Sequence, residues 1–287
     1  PGSLKEGVIS LLRKRVGFLR KPEREKDLEE SIISEIEAEH SDTTDYERLK
    51  KLLNTDMKYS STQSIQIQSL CAKTVQDLMV GEKKPLRYKD IIFIPKEGTL
   101  YVVGDTHGDS YTTDYIIKCC SQELRAGAYI VFLGDYVNNG LDSIGNLIKV
   151  LTLKEEFPTQ VILLSGNHEF RETYLTAVTE YFETHWDNAV RPNKGISEAK
   201  MPPQHYNHIA FELLKKFGFK KGEEIYELFK KWGRSLPYIA FSGKGVMMSH
   251  SVGLSSEFAN KDITFEELAG AKKDKKDIEV FKDIVSK

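Results

Sequence analysis

Long apolar runs are missing from this chain of 287 residues. Its longest ones, such as Tyr129–Leu133 and Val161–Leu164, fall far short of the roughly 20 residues that a helical membrane span needs. Cysteine is scarce. Cys71, Cys119 and Cys120 make neither an even framework nor a CxxC pair, and adjacent cysteines do not easily bridge each other. They read as reduced structural thiols in a cytoplasmic compartment. Excess charge is missing too: 41 basic against 43 acidic residues leave a net charge of −2, so no nucleic-acid partner is expected on bulk electrostatics. No secretory apolar core follows Pro1-Gly2-Ser3, which reads as a cloning remnant. There is no internal repeat, and the one biased tract, Lys272–Asp277, reads as solvated surface. With 40% hydrophobic residues, one large domain with an extension can bury a core.

The N-terminal part differs from the rest. Val8, Leu11, Leu12, Val16 and Leu19 recur at helical spacing among Arg13, Lys14, Arg15, Arg20 and Lys21, which predicts a basic amphipathic helix. Glu35, Glu37, Glu39, Asp42, Asp45 and Glu47 follow it. Two readings stand: a solvated helical extension packed on the domain or on this acidic stretch, or a helix for a protein partner or membrane surface. The polar stretch Ser60–Gln63 reads as a linker, so residues 1–63 form a helical extension and residues 64–287 the main domain. There, Ile67, Leu70, Cys71, Val75 and Leu78 predict a helix stopped by Gly81. Ile91–Ile94 and Leu100–Val103 read as strands, and Tyr129–Leu133 and Val161–Leu164 as strands buried on both faces. Tyr238–Phe241 and Val246–Met248 form a strand pair around Ser242-Gly243-Lys244-Gly245.

Polar clusters close four of these strands. Leu100–Val103 runs into Gly104-Asp105-Thr106-His107-Gly108-Asp109, and Tyr129–Leu133 into Gly134-Asp135-Tyr136-Val137-Asn138-Asn139-Gly140. Val161–Leu164 leads through Ser165 into Gly166-Asn167-His168-Glu169, and the last strand into Ser249-His250. Ligand sites of open α/β sheets lie beyond the carboxyl ends of strands, so the clusters can converge. Their Asp, Asn and His side chains form an oxygen and nitrogen set, without thiolate, suited to Mn, Fe or Zn.

GDTHG, GDYVNNG and GNHE, in this order, resemble the signature of the metal-dependent phosphoprotein phosphatases, whose pattern is GDxHG, GDxVDRG, GNHE and HGG. The resemblance covers residues 70 to 287 and implies a metallophosphatase four-layer α/β sandwich, two mixed sheets flanked by helices, behind the helical N-terminal extension. It implies that Asp105 and His107 hold one divalent metal, that Asp135 bridges two, and that Asn167 and His250 hold the second, with Mn²⁺ the first choice and Fe or Zn the others. Such a pair activates water and clamps phosphate oxygens for in-line attack. His168 is implied as the acid that protonates the leaving alkoxide.

The departures from the pattern are specific. Asn138 and Asn139 replace an Asp that orients the GNHE histidine and an Arg that grips phosphate, and Ser165 replaces another Arg. Asn138 is expected to accept a hydrogen bond from His168. Arg171 is the candidate to restore a phosphate contact. Only 37 residues follow His250, and no position there matches the family's further Arg and last His ligand, so the catalytic domain is expected to lack its C-terminal part. An insertion is expected between Tyr174 and Lys221, with a helix around Ile209–Phe217; His205 and His208 within it are weak substitute ligands. The resemblance implies hydrolysis of phosphoserine and phosphothreonine in a phosphoprotein substrate. A pseudophosphatase that binds a partner without turnover and a dinucleoside polyphosphate hydrolase remain as alternatives.

Overall fold

The computed structural model describes residues 43–62, 84–170, 177 and 208–250. The basic helix, the helix expected over Ile67–Leu78, Arg171, His205 and the segment after His250 lie outside them. Helix α1, Thr44–Thr62, starts with Asp45 and Glu47 in its first turn, where the helix dipole favours acids. It runs through the stretch expected to be a linker. Ser60, Ser61 and Thr62 contain no Gly or Pro to stop a helix, so polarity alone misleads there. Tyr46, Leu49, Leu52 and Leu53 are buried on one face, at the spacing that an amphipathic helix needs.

Strands β1 (Leu86–Tyr88) and β2 (Ile91–Ile94) form an antiparallel hairpin. Strand β3 (Leu100–Val103), helix α2 (Ser110–Arg125), strand β4 (Tyr129–Phe132), helix α3 (Ser143–Glu156) and strand β5 (Val161–Leu163) then alternate. Such alternation builds parallel sheets, and β3-β4-β5 is parallel throughout. Helix α4 (Ile209–Ser235) leads to β6 (Ile239–Ser242) and β7 (Met247–Ser249). Strand β6 joins β2 in parallel and β7 antiparallel, giving a mixed sheet of order β1-β2-β6-β7.

The two sheets face each other. Ile92 and Ile94 of β2, Ala240 of β6 and Met248 of β7 share one apolar cluster with Tyr129, Val131, Ile162 and Leu164. The alternate residues Ile130, Phe132, Val161 and Leu163 turn to the other side, into a larger core with α1, α3 and α4. Period-2 alternation thus places successive β4 residues in two different layers, which explains the continuous apolar run. Strand β3 is less covered than β4 and β5: Val102 is 50% exposed, and β3 is an edge strand with β4 as its partner among the described residues.

The helix expected to end at Phe217 continues to Ser235. Gly218 takes φ 74° and kinks it, yet Ile225, Tyr226, Phe229 and Trp232 continue its buried face. Residues 209–217, expected within an insertion beside the cleft, carry Ile209, Ala210, Leu213, Leu214 and Phe217, all buried. They are core. Helix α1 lies along α4, with Tyr46 edge-on to Phe217 at 5.9 Å and Trp232 Nε1 donating to Asp56 Oδ2 at 2.7 Å.

Candidate metal centre

The carboxyl ends of β3, β4, β5 and β7 bring four loops together. Gly134 and Gly166 allow the closest approach: a Cβ on Gly134 would lie 2.2 Å from the Gly166 backbone nitrogen, and one on Gly166 2.2 Å from Asp135 Oδ1. Thr106 and His107 donate their backbone N–H to the Asp135 carbonyl at 3.2 and 2.8 Å. His107, Asp135, Asn138 and Asn139 all have positive φ, from 41° to 68°. Asn, Asp and His are the non-glycine residues found most often in this region, and the modest cost at each is held by surrounding contacts.

Asp135 is 2% exposed and lies at the middle. Its Oδ2 is 3.6 Å from His107 Nε2, 3.7 Å from His168 Nε2 and 3.3 Å from His250 Nε2. Asp105 Oδ2 lies 3.7 Å from His107 Nε2, and its Oδ1 3.4 Å from His250 Nδ1. Two side-chain atoms each bound to one ion lie about 3.0 to 3.6 Å apart at usual bond lengths and angles. These separations therefore suit shared ions better than direct hydrogen bonds. Two groups are compact enough to hold an ion: His107, Asp135 and His168, and Asp105, Asp135 and His250. Asp135 belongs to both, as a bridging ligand must. Asp105 Oδ2 also lies 3.7 Å from His107 Nε2, so the geometry accommodates the pairing of Asp105 with His107 that the family pattern implies as well.

Two further observations fit cations here. The buried Nδ1 of His250 has no hydrogen-bond partner. The Asn167 side-chain oxygen lies 3.0 Å from His250 Nε2 and against the Asp135 carboxylate. Turning the amide over lets its nitrogen donate to Asp135 Oδ2 at 2.9 Å. The amide can thus offer this centre either a donor nitrogen or an acceptor oxygen. Burial pulls the His250 imidazole toward a lower pKa, but the hydrogen bond and charge of Asp135 and the charge of Asp105 raise it overall. Burial likewise opposes ionisation of Asp135, and its bond to His250 and the charge of His168 hold its pKa low. Metal ions compete with these protons for the same atoms.

Glu169 is fully buried and fastens the loops. Its Oε2 accepts from the backbone N–H of Asp135 at 3.0 Å and of Gly166 at 2.7 Å, and its Oε1 accepts from Tyr136 at 2.9 Å. Burial, then the Asp135 charge, push its pKa up to about 7 against those three bonds. Nothing in composition or spacing marks this role; its place directly after His168 in GNHE is the one signal that points to it. Asn146 is a second residue that sequence reasoning missed, donating to Thr106 Oγ1 at 2.8 Å and to the Tyr136 carbonyl at 2.7 Å.

Asn138 corrects an expectation. Its Oδ1 accepts the backbone N–H of Ile209 at 2.8 Å, the first residue of α4. That leaves Nδ2 facing His168 Nδ1 at 2.8 Å, so Asn138 donates to the ring instead of accepting from it. A backbone N–H can only donate, which fixes the amide's orientation. His168 therefore carries its ring proton on Nε2, toward Asp135. Ser165 holds no place at the site: it is 3% exposed, and its Oγ donates to the Gly233 carbonyl at 3.2 Å. Asn139 is exposed.

Residues 98–282, more than half of the chain, match the calcineurin-like phosphoesterase family. The chain belongs to that family. A stretch of 90 residues is 32% identical to the serine/threonine-protein phosphatase 6 catalytic subunit of Drosophila melanogaster, covering 31% of this chain and 28% of that protein. Another of 71 residues is 39% identical to a protein phosphatase 2A catalytic subunit of Dictyostelium discoideum, covering 25% of this chain and 22% of that one. The chain thus spans less than a third of the length of these relatives. Among solved structures, it resembles a protein serine/threonine phosphatase from Saccharomyces cerevisiae with similarity to human phosphatase PP5, at 18% identity and a TM-score of 0.41, over 69% of this chain and 58% of that one. No helix of the described residues is long and apolar enough to cross a membrane.

Proposed function

We propose that this calcineurin-like phosphoesterase hydrolyses phosphoserine and phosphothreonine in proteins. The observation that carries the reading is the convergence of Asp105, His107, Asn167, His168 and His250 on one buried carboxylate, Asp135, at the ends of four strands. Asp105 and His107 would hold one divalent ion, Asn167 and His250 a second, with Asp135 between them. The donor set suits Mn²⁺ first and Fe or Zn next. When bound, such ions supply an activated water and neutralise phosphate charge. The chain itself places His168 Nε2–H on the same centre, fixes its ring through Asn138, and holds the loops through Glu169. Arg171, close after His168 in sequence, is the proposed phosphate contact. The names of its relatives point to protein substrates, and the free thiols of Cys119 and Cys120 suit a reducing cytoplasm.

The polarity of the Asn138–His168 contact favours a second reading, a partner-binding module with weak or no turnover. An imidazolium donates from both nitrogens, and here one nitrogen meets a donor. Elemental analysis paired with phosphate release from a phosphopeptide in Mn²⁺ separates the two. Two metals per chain with turnover that falls at least about 10³-fold in Asp135→Asn supports the enzyme. Metal without turnover supports the binding module, and absence of metal sinks both metal-based readings. Release from a dinucleoside polyphosphate but not from phosphopeptides would move the substrate to that class.

A further inference from the structure

Among the described residues, six large apolar side chains are exposed: Val102, Tyr111, Tyr115, Leu141, Val246 and Met247. All six lie on the segments that carry the ligand loops. Val102 precedes Asp105 on β3, Tyr111 and Tyr115 follow His107 on α2, Leu141 follows Asn138, and Val246 and Met247 precede His250. Scattered exposed apolar residues are ordinary, whereas a group of them beside a candidate site offers a contact surface.

Three of them stand on helix α2 and on the loop that packs against its start. Tyr111 and Tyr115 are 85% and 66% exposed, and Leu141 is 76% exposed. The two tyrosines are four residues apart, hence on one face of α2. The loop bearing Leu141 rests on the start of that helix: the Asp142 N–H donates to the Gly108 carbonyl at 3.1 Å, and Gly140 lies directly against the His107 backbone. Nearby charges are already committed. Asp109 accepts from Thr112, Lys118 pairs with Asp114 at 2.6 Å, and Lys149 donates to the Ser110 carbonyl at 2.8 Å. What the ledge offers is apolar surface. One turn of α2 separates the tyrosines by about 6 Å along the axis, the distance covered by about two residues of extended peptide.

We propose that Tyr111, Tyr115 and Leu141 form a ledge that takes an aromatic or aliphatic side chain a few residues from the phosphorylated one, so that the site prefers phosphoproteins with apolar flanks. The inference rests on the phosphoprotein reading of the site, and the test keeps the two apart. Fluorescence anisotropy, with Mn²⁺ present, measures the Kd of two labelled phosphothreonine peptides: one with Leu or Phe at the second and third flanking positions, the other with Ser there. The expected result is about tenfold tighter binding of the apolar peptide, narrowed to within about twofold in Tyr111→Ser and in Leu141→Ser. Equal Kd values for the two peptides in the wild type, or a preference that survives both substitutions, overturn the ledge. Turnover of p-nitrophenyl phosphate on the same sample reports separately on the phosphatase reading, whatever the Kd ratio.

Discussion

Two regions of this protein gather several titratable side chains around a buried acid, and they do so in opposite ways. At the candidate metal centre, carboxylates and imidazoles of Asp105, His107, Asp135, His168 and His250 gather at 3.3 to 3.7 Å, too far for good hydrogen bonds. Left-handed backbone at His107 and Asp135 supports them. At the far side of the parallel sheet, Arg87, Lys154 and Asp56 mix both signs. Arg87 donates to the carbonyls of Lys89 and Ser235 at 2.8 and 2.6 Å, Lys154 to those of Pro158 and Val161 at 2.8 and 2.6 Å, and Asp56 accepts from Trp232. The second cluster is held mainly by direct bonds, although Asp56 Oδ1 is buried without a hydrogen-bond partner, and it ties α1, α3, α4 and β1 together. The first is spaced so that its groups could share ions. Buried charge by itself is ambiguous; spacing and backbone strain separate a site from a strut.

Substitutions sharpen that contrast most where each cluster has its central acid. Asp135→Asn is expected to abolish metal binding and turnover while changing the stability of the EDTA-treated protein by less than about 1 kcal/mol, since it relieves a buried carboxylate beside Glu169. Asp56→Ala should do the reverse. It leaves the Trp232 indole without its acceptor, removes a negative charge that acts on Arg87 and Lys154, and costs about 3 kcal/mol of unfolding free energy, with metal content per folded chain retained. Urea denaturation and elemental analysis of both variants check this. If Asp56→Ala lost metal at unchanged stability, the division into site and strut would be wrong.

The first cluster was largely legible in the sequence, and the second was not. Glycine-flanked Asp and His residues at strand ends announce themselves because the chemistry demands few residue types in fixed order. The fold class, the strands and the convergence of their loops followed from that. Asp56, Arg87 and Lys154 come from separate segments 31 to 98 residues apart and meet only after α1 docks on α4, so no local pattern marks them. The course of α1 through Ser60–Thr62 was hidden for a related reason: burial of Leu49 and Leu53 against α4 decides it, while local polarity suggested a linker. The donor polarity of Asn138 needed the position of Ile209, 71 residues away.

Asn138→Asp tests whether that polarity limits catalysis. An Asp can accept both the Ile209 N–H and a proton on His168 Nδ1, leaving Nε2–H on a ring able to donate. About tenfold higher kcat on a phosphoserine peptide is expected, with little gain on p-nitrophenyl phosphate, whose leaving group needs no acid. Equal gains on both substrates would mean that the substitution acts on binding or loop geometry.

A pH dependence tests the strut. Burial holds the Lys154 ammonium pKa down to about 8 from 10.5, against the charge of Asp56 and with that of Arg87. Below pH 8 the lysine is protonated in both folded and unfolded chains, and the full cost of burying its charge is present. Between pH 8 and 10.5 the native state releases the proton before the unfolded chain does, so the unfolded state binds more protons and stability rises with pH. From pH 7.5 to 9.5 this contributes about 2 kcal/mol. Lys154→Met removes the titrating group, so its urea-derived stability should lack this rise while other groups titrate as before. Parallel pH curves for the two proteins would mean that the carbonyls of Pro158 and Val161 hold the ammonium charged, making the strut as well solvated by backbone as by water.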